Sequence, residues 1–196
     1  MEIILFHSVM GVGEGVADAA ERFRAAGHRV HTIDLYEGVA FDDYPEADAH
    51  VESIGGPPEL IRRTTESIAR YPADVVYAGF SNGGVSALFA GISRPGARGV
   101  LSFHAAIPLP MMGVDAWPPA VPVQVHYAEH DPKRRQEWID QFAASVRAAG
   151  AGYQFFEYLG VTGHLFADPS REREYDAAAA KLMFERSLAF LDRVSG

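Results

Sequence analysis

The sequence predicts an α/β protein, a mainly parallel sheet of about six strands with helices on both faces. Two observations lead to that class. Short β-rich runs alternate with longer segments of helical period, the order expected when each strand is followed by a crossover helix. The helical segments each present one apolar face, as helices lying on a sheet must. A length of 196 residues, 48% of them hydrophobic, supports a single domain over 1–196 with a sizeable core.

Taken in order, the first strand is predicted at Ile3 to Phe6. A helix follows, with Val12, Val16, Ala19 and Phe23 at i, i+4, i+7 and i+11. Arg29 to Ile33 reads as the second strand and Val75 to Ala78 as the third, which leads into a helical stretch from Val85 to Ile92. Val100 to Phe103, Val123 to Tyr127 and Gln154 to Tyr158 complete the strands. Trp138, Phe142 and Val146 repeat every four residues before the last strand. Phe184, Leu188 and Leu191, at i, i+4 and i+7, give one apolar face to a final helix from about Ala177 to Val194, where the run Ala177 to Ala180 favours helix. Tyr36 to Pro45 and Ala105 to Pro122 are long irregular segments rich in Pro, Gly and aromatic residues, and such loops at strand ends tend to hold function.

Composition narrows the chemistry. Seventeen Lys and Arg against 26 Asp and Glu give a net charge of −9, with no basic run, so nucleic acid is not an expected partner. No apolar stretch reaches the roughly 18 residues of a membrane span, and the N-terminus lacks a basic n-region and a small-residue cleavage site. The expectation is a soluble cytoplasmic protein without membrane association. The absence of cysteine excludes disulfides, thiolate metal sites and a cysteine nucleophile. Eight histidines are scattered through the chain, with His7, His104, His126 and His130 in or just after predicted strands, so no metal is expected. Gly11-Val12-Gly13-Glu14-Gly15 lacks both the Walker lysine and the third glycine of a dinucleotide turn, so no cofactor is expected either.

One stretch carries a positive signal. In "AGFSNGG", Gly79-Phe80-Ser81-Asn82-Gly83 sits between a predicted strand and a predicted helix, the context of a G-x-S-x-G nucleophile elbow. The turn is so sharp that only glycines fit beside the serine, whose Oγ is left exposed. A serine needs a histidine to take its proton, and the imidazolium needs a carboxylate. Asp131, after the fifth strand, and His164, after the sixth, stand in the order this arrangement requires; Glu129 is the substitute acid. A bland reading of Asp131 is also available, because Asp before Pro is an ordinary helix cap. The oxyanion donors should be the backbone N–H groups of Asn82, next to the nucleophile, and Val9, in the loop after the first strand. His7, Ser8, Tyr36, His104, Met111 and Trp117, with Phe41 and Met112, are the candidate pocket residues.

With those residues in hand, the chain resembles the dienelactone hydrolase family, a minimal form of the α/β-hydrolase fold without a large cap domain. The resemblance rests on "LFHSVMGV", "DLYEG", "GFSNGG", "AEHDP" and "GHLFAD", spread in the family's order over nearly the whole chain. It implies hydrolysis of a small carboxylic ester or lactone. Two departures qualify it. Where the family's characterised members have a cysteine nucleophile and a nearby glutamate, this chain has Ser81 and Ser8. The position of a substrate-binding arginine, four residues after the catalytic histidine, is Asp168, which is expected to repel a carboxylated lactone unless it caps the following turn. A thioesterase, or a ligand-binding module without turnover, is the alternative reading.

Overall fold

The structure, a computed structural model describing all 196 residues, contains one six-stranded sheet in the order β2-β1-β3-β4-β5-β6. The strands are β1 (Glu2–Phe6), β2 (Arg29–Ile33), β3 (Val76–Phe80), β4 (Gly99–Phe103), β5 (Val123–Ala128) and β6 (Tyr153–Tyr158), and every neighbouring pair is parallel. Their central members are buried and largely apolar, as sheets covered on both faces require: Ile3, Ile4, Leu5 and Phe6 are all fully buried. The helices are α1 (Glu14–Ala25), α2 (Tyr44–Ser53), α3 (Gly56–Ile68), α4 (Asn82–Ser93), α5 (Gln136–Ala148) and α6 (Ala177–Ser195).

Alternation along β4 assigns the two faces. A Cβ on Gly99 would come within 2.8 Å of Phe190 in α6, whereas the Val100 side chain reaches Gly91 in α4. Phe23 of α1 meets Phe184 of α6 edge-on at 5.7 Å, which puts α1 on the α6 face. On the other face α4 holds α3 through a Thr64–Ser86 hydroxyl bond of 2.9 Å. Trp117 bridges α4 and α5 there, lying 3.8 Å from where a Cβ on Gly91 would stand and packing edge-on against Phe142.

The strand order places the site. From β1 the chain steps outward to β2, then returns to the other side of β1 with β3 and continues one way to β6. The loops leaving β1 and β3 therefore part to opposite faces, opening a crevice at their C-terminal ends.

Three sequence expectations change. The periodicity of Val12 does not extend α1, which starts at Glu14; Val12 is exposed. Trp138 is only partly buried, and Ile139 together with Phe142 and Val146 forms the buried face of α5. The region from 44 to 68, for which no element was expected, holds α2 and α3. Asp43 caps α2 by accepting the Glu46 N–H at 2.9 Å, with Pro45 in the first turn, and Pro57 and Pro58 open α3.

Candidate active site

The site begins with the turn from β3 into α4. Ser81 has φ 53° and ψ −116°, a left-handed conformation that non-glycine residues adopt only under compulsion. The two glycines of the pentapeptide supply that compulsion through close approach. A Cβ on Gly79 would stand 2.0 Å from the Gly83 carbonyl oxygen, and one on Gly83 would stand 2.2 Å from the His7 carbonyl oxygen. Helix α4 is thereby pressed against the end of β1. Asn82, its first residue, has no intrahelical partner for its N–H.

His164 and Asp131 arrive from the ends of β6 and β5. Ser81 Oγ lies 2.8 Å from His164 Nε2, and His164 Nδ1 lies 2.9 and 2.8 Å from the two carboxylate oxygens of Asp131. With Nδ1–H donated to the carboxylate, Nε2 is the lone-pair nitrogen facing the serine hydroxyl. Ser81, Asp131 and His164 are 9%, 6% and 3% exposed, so the array is shielded while its serine end still reaches the cavity. Asp131 fills its bland role as well, accepting the Lys133 N–H at 2.7 Å. Glu129 is turned elsewhere, accepting the Gly160 N–H at 2.7 Å.

A chemical reading of the array follows from these distances. An imidazole that accepts from a hydroxyl on one side and donates to a carboxylate on the other can remove the hydroxyl proton as its oxygen attacks. Val9, buried in the loop after β1, donates its N–H to no carbonyl or side chain of the protein. The dipole of α4 points its positive end at the same place.

A cavity of about 180 Å³ opens beside Ser81, walled by Asn82, Val85, His104, Ile107, Lys133 and His164 among others. Asn82, Val85 and Ile107 also wall a second, apolar cavity of about 460 Å³ between α3, α4 and the short 3-10 helix Leu109–Met112. Another hollow, of about 660 Å³, lies by Met1 and Arg29 at the N-terminal ends of β1 and β2, at the opposite end of the strands from Ser81.

The six pocket candidates divide. His104 lines the cavity and Met111 the apolar one. His104 follows β4 with φ 61°, its ring 5.6 Å from that of His164 and both ring nitrogens buried without a partner. Burial, reinforced by the neighbouring His164 and His126, holds it well below the ordinary histidine range, hence neutral. The other four do not line the cavity. Trp117 is a core residue, 1% exposed, whose indole N–H is satisfied by Val121 O at 2.7 Å. His7 is a brace: Nδ1–H donates to Ser8 O at 2.6 Å and Nε2 accepts from Leu35 N–H at 2.9 Å. Ser8 Oγ accepts the Met10 N–H, and with Phe41 and Asp168 it faces a separate cleft. Tyr36 is packed against His7 and His50, its hydroxyl beside the Asn82 side chain without a well-formed hydrogen bond. Asp168 takes the capping alternative, accepting Ser170 N–H and O–H at 3.0 and 2.6 Å.

Residues outside the sequence expectation complete the surroundings. Lys133 lies over the Tyr44 ring at 4.3 Å and pairs with Asp48 at 3.7 Å, while Arg135 stacks on Trp138 at 5.0 Å. Glu174 anchors the His164 loop. It accepts the Leu165 N–H at 2.9 Å, Arg171 Nε–H at 2.6 Å and the Tyr44 hydroxyl at 2.9 and 3.0 Å. Burial alone would raise its carboxyl, but those three donors hold it below the usual range. Tyr44 moves the other way, raised by its burial and by Glu174. Gly163 permits this approach, since a Cβ there would meet the Glu174 carbonyl oxygen at 2.2 Å.

A parallel sheet with its polar site at the C-terminal strand ends, fed by loops after β1, β3, β5 and β6, defines an α/β hydrolase. The profile of the dienelactone hydrolase family matches residues 1–195, and the chain belongs to that family. Among solved structures it resembles the dienelactone hydrolase-like promiscuous phosphotriesterase P91 from metagenomic libraries, at 18% identity and TM-score 0.82, covering 98% of this chain and 86% of that one. Esterase PE8 matches at 17% identity and TM-score 0.65 over 98% and 92% of the two chains. Est2, an esterase from Thermogutta terrifontis, matches at 17% identity and TM-score 0.62 over 98% and 83%. At such identities these likenesses speak for the fold. No curated protein matches the chain. No helix is long and apolar enough to cross a membrane.

Proposed function

We propose that the chain is a serine hydrolase that cleaves a small carboxylic ester or lactone through an acyl-enzyme. The observation that carries this reading is the unbroken hydrogen-bonded line from Ser81 Oγ through His164 to Asp131, with 2.8 Å at each closest approach. Membership of a hydrolase family supports it.

In this mechanism Ser81 Oγ attacks the carbonyl carbon while its proton passes to His164 Nε2. Asp131 stabilises the imidazolium, and the N–H groups of Val9 and Asn82 hold the oxyanion. The C–O bond to the alcohol then breaks, and the departing oxygen takes the proton from His164. Water attacks the acyl-enzyme with His164 again as base, releasing the acid and restoring Ser81. In a lactone the alcohol and the acid stay joined in one opened chain.

A fluorophosphonate should label the protein at Ser81, and a short-chain nitrophenyl ester should turn over. Ser81→Ala should abolish labelling and lower kcat by roughly 10³-fold or more. Retention of full esterase activity in Ser81→Ala would refute the assignment. Labelling without hydrolysis of any ester in a panel would favour the binding-module alternative.

A further inference from the structure

We infer that the substrate carries an uncharged apolar arm of medium length, and that this arm lies in the cavity between α3, α4 and the 3-10 helix. The inference rests on the serine-hydrolase reading and goes on to name what the hydrolase accepts. The cavity adjoins the reacting centre, because Asn82, Val85 and Ile107 line both it and the space beside Ser81. Asn82 is the residue that follows the nucleophile. An arm attached to a carbonyl carbon at Ser81 therefore has this cavity as its neighbour, with only the Asn82, Val85 and Ile107 side chains between.

The lining decides the chemistry of the arm. Leu60, Ile61, Ile107, Met111 and Met112 supply apolar surface and Pro57 stiffens one rim, and no charged side chain faces the space. Of the two polar liners, Ser86 is already engaged with Thr64 at 2.9 Å, and Asn82 stands at the junction with the site. A carboxylate or ammonium placed here would lose its hydration and find no ion partner. A hydrocarbon arm would lose only unfavourable contact with water.

The volume of about 460 Å³ falls within the usual range for small-molecule sites of roughly 300–1,000 Å³, more than an acetyl group needs. Met111 is 57% exposed at the outer rim, among the most exposed large apolar side chains of the protein. An unbranched thioether side chain at that position can fold down over an arm and adjust to its length. The opposite rim, with Pro57 and Pro58 in the first turn of α3, has little such freedom. The geometry is that of a fixed wall facing an adaptable one.

The test is a chain-length profile in two series. Nitrophenyl acetate, butyrate, hexanoate and octanoate lengthen the acyl side, and ethyl, butyl and hexyl acetates lengthen the alcohol side. In one series kcat/KM should climb by about fourfold for each methylene entering the cavity. The series that climbs identifies which side of the ester the cavity takes. Ile61→Trp should fill the space and cut the hexanoate-to-acetate ratio, or its alcohol-side equivalent, by tenfold or more. Because that variant could fail to fold, Met111→Glu serves alongside it at an exposed rim position, and its added charge should lower the same ratio several-fold.

Flat or falling profiles in both series, with Ser81 still labelled and acetate still hydrolysed, would overturn the inference and leave the hydrolase reading standing. So would ratios unchanged in both folded variants. Absence of all ester turnover and labelling would instead remove the hydrolase reading, and the inference with it.

Discussion

Asp131 shows how one side chain can serve two purposes. Its Oδ1 receives the Lys133 N–H at 2.7 Å, the usual contact of an aspartate that starts a turn, while both oxygens face His164 Nδ1. Cap and imidazole partner are thus the same residue, and from sequence alone neither role displaces the other. Asp131→Asn should keep the turn, because the amide oxygen can still accept from Lys133. It should lose the carboxylate that fixes the imidazole tautomer and balances the imidazolium, lowering kcat on a nitrophenyl ester by about 10³- to 10⁴-fold with little change in KM. Glu129→Gln should cost less than about threefold, since Glu129 reaches only the Gly160 N–H and the neighbouring His130. A reversal of these two results would transfer the acid role to Glu129. Residues in strand-end turns were legible because position after a strand carries their meaning. Trp117 was not, since a tryptophan in a loop rich in apolar residues can face either a cavity or the core, and here the Val121 carbonyl and Phe142 draw it inward.

At the level of elements, the loop that carries His164 is tied to α2 through Glu174. Tyr44 opens α2, donates its hydroxyl to Glu174 and has its ring 6.2 Å from that of His164. Helix α2 was the least legible part of the chain, for it buries only Ala47 and Val51 and so lacks a clear apolar period. The signal that could have found it is local, the Asp43–Glu46 cap with Pro45 between. Helix α3 was obscured in the same way by its Gly-Pro-Pro start, although Leu60, Thr64 and Ile68 do repeat every four residues. Glu174→Ala would leave the Leu165 N–H, the Arg171 guanidinium and the Tyr44 hydroxyl without their shared acceptor. The His164 loop should loosen, and kcat and the rate of Ser81 labelling should fall together by about tenfold or more. Glu174→Gln, which keeps an acceptor oxygen for the Leu165 N–H, should recover part of both. If kcat fell while labelling kept its rate, Glu174 would act on a later step than nucleophile activation, and the positioning role would be lost.

Across the whole molecule, the sheet carries a row of buried histidines whose neutrality links folding to pH. His126 accepts the Tyr158 hydroxyl at Nδ1 (2.7 Å) and donates from Nε2 to Gln124 Oε1 (2.8 Å), so its neutral form is fully satisfied in the core. Burial, with Arg186 nearby, pushes its pKa down to about 3. His104 is lowered by burial and its two histidine neighbours, and His7 by burial against the opposing pull of Ser8 O and Asp34. Above the ordinary histidine value near 6.5 both folded and unfolded forms are neutral at these positions, and pH leaves stability unaffected through them. Below that value the unfolded chain takes up protons that the folded one refuses, so stability falls as pH falls, until the folded pKa is reached. For His126 alone the loss should be about 2 kcal/mol between neutral pH and about pH 5, with His104 and His7 adding to it. Glu174, whose carboxyl is held low, contributes a loss only at more acid pH, so the two effects separate. Urea unfolding at a series of pH values from about 7.5 to 5 measures this directly. His126→Gln retains hydrogen-bonding capacity without a titrating ring, and should flatten the slope by roughly one proton's share even if it lowers stability at neutral pH. A wild-type stability constant over that interval, or a slope identical in the variant, would mean that the row of histidines is not what couples this fold to acid.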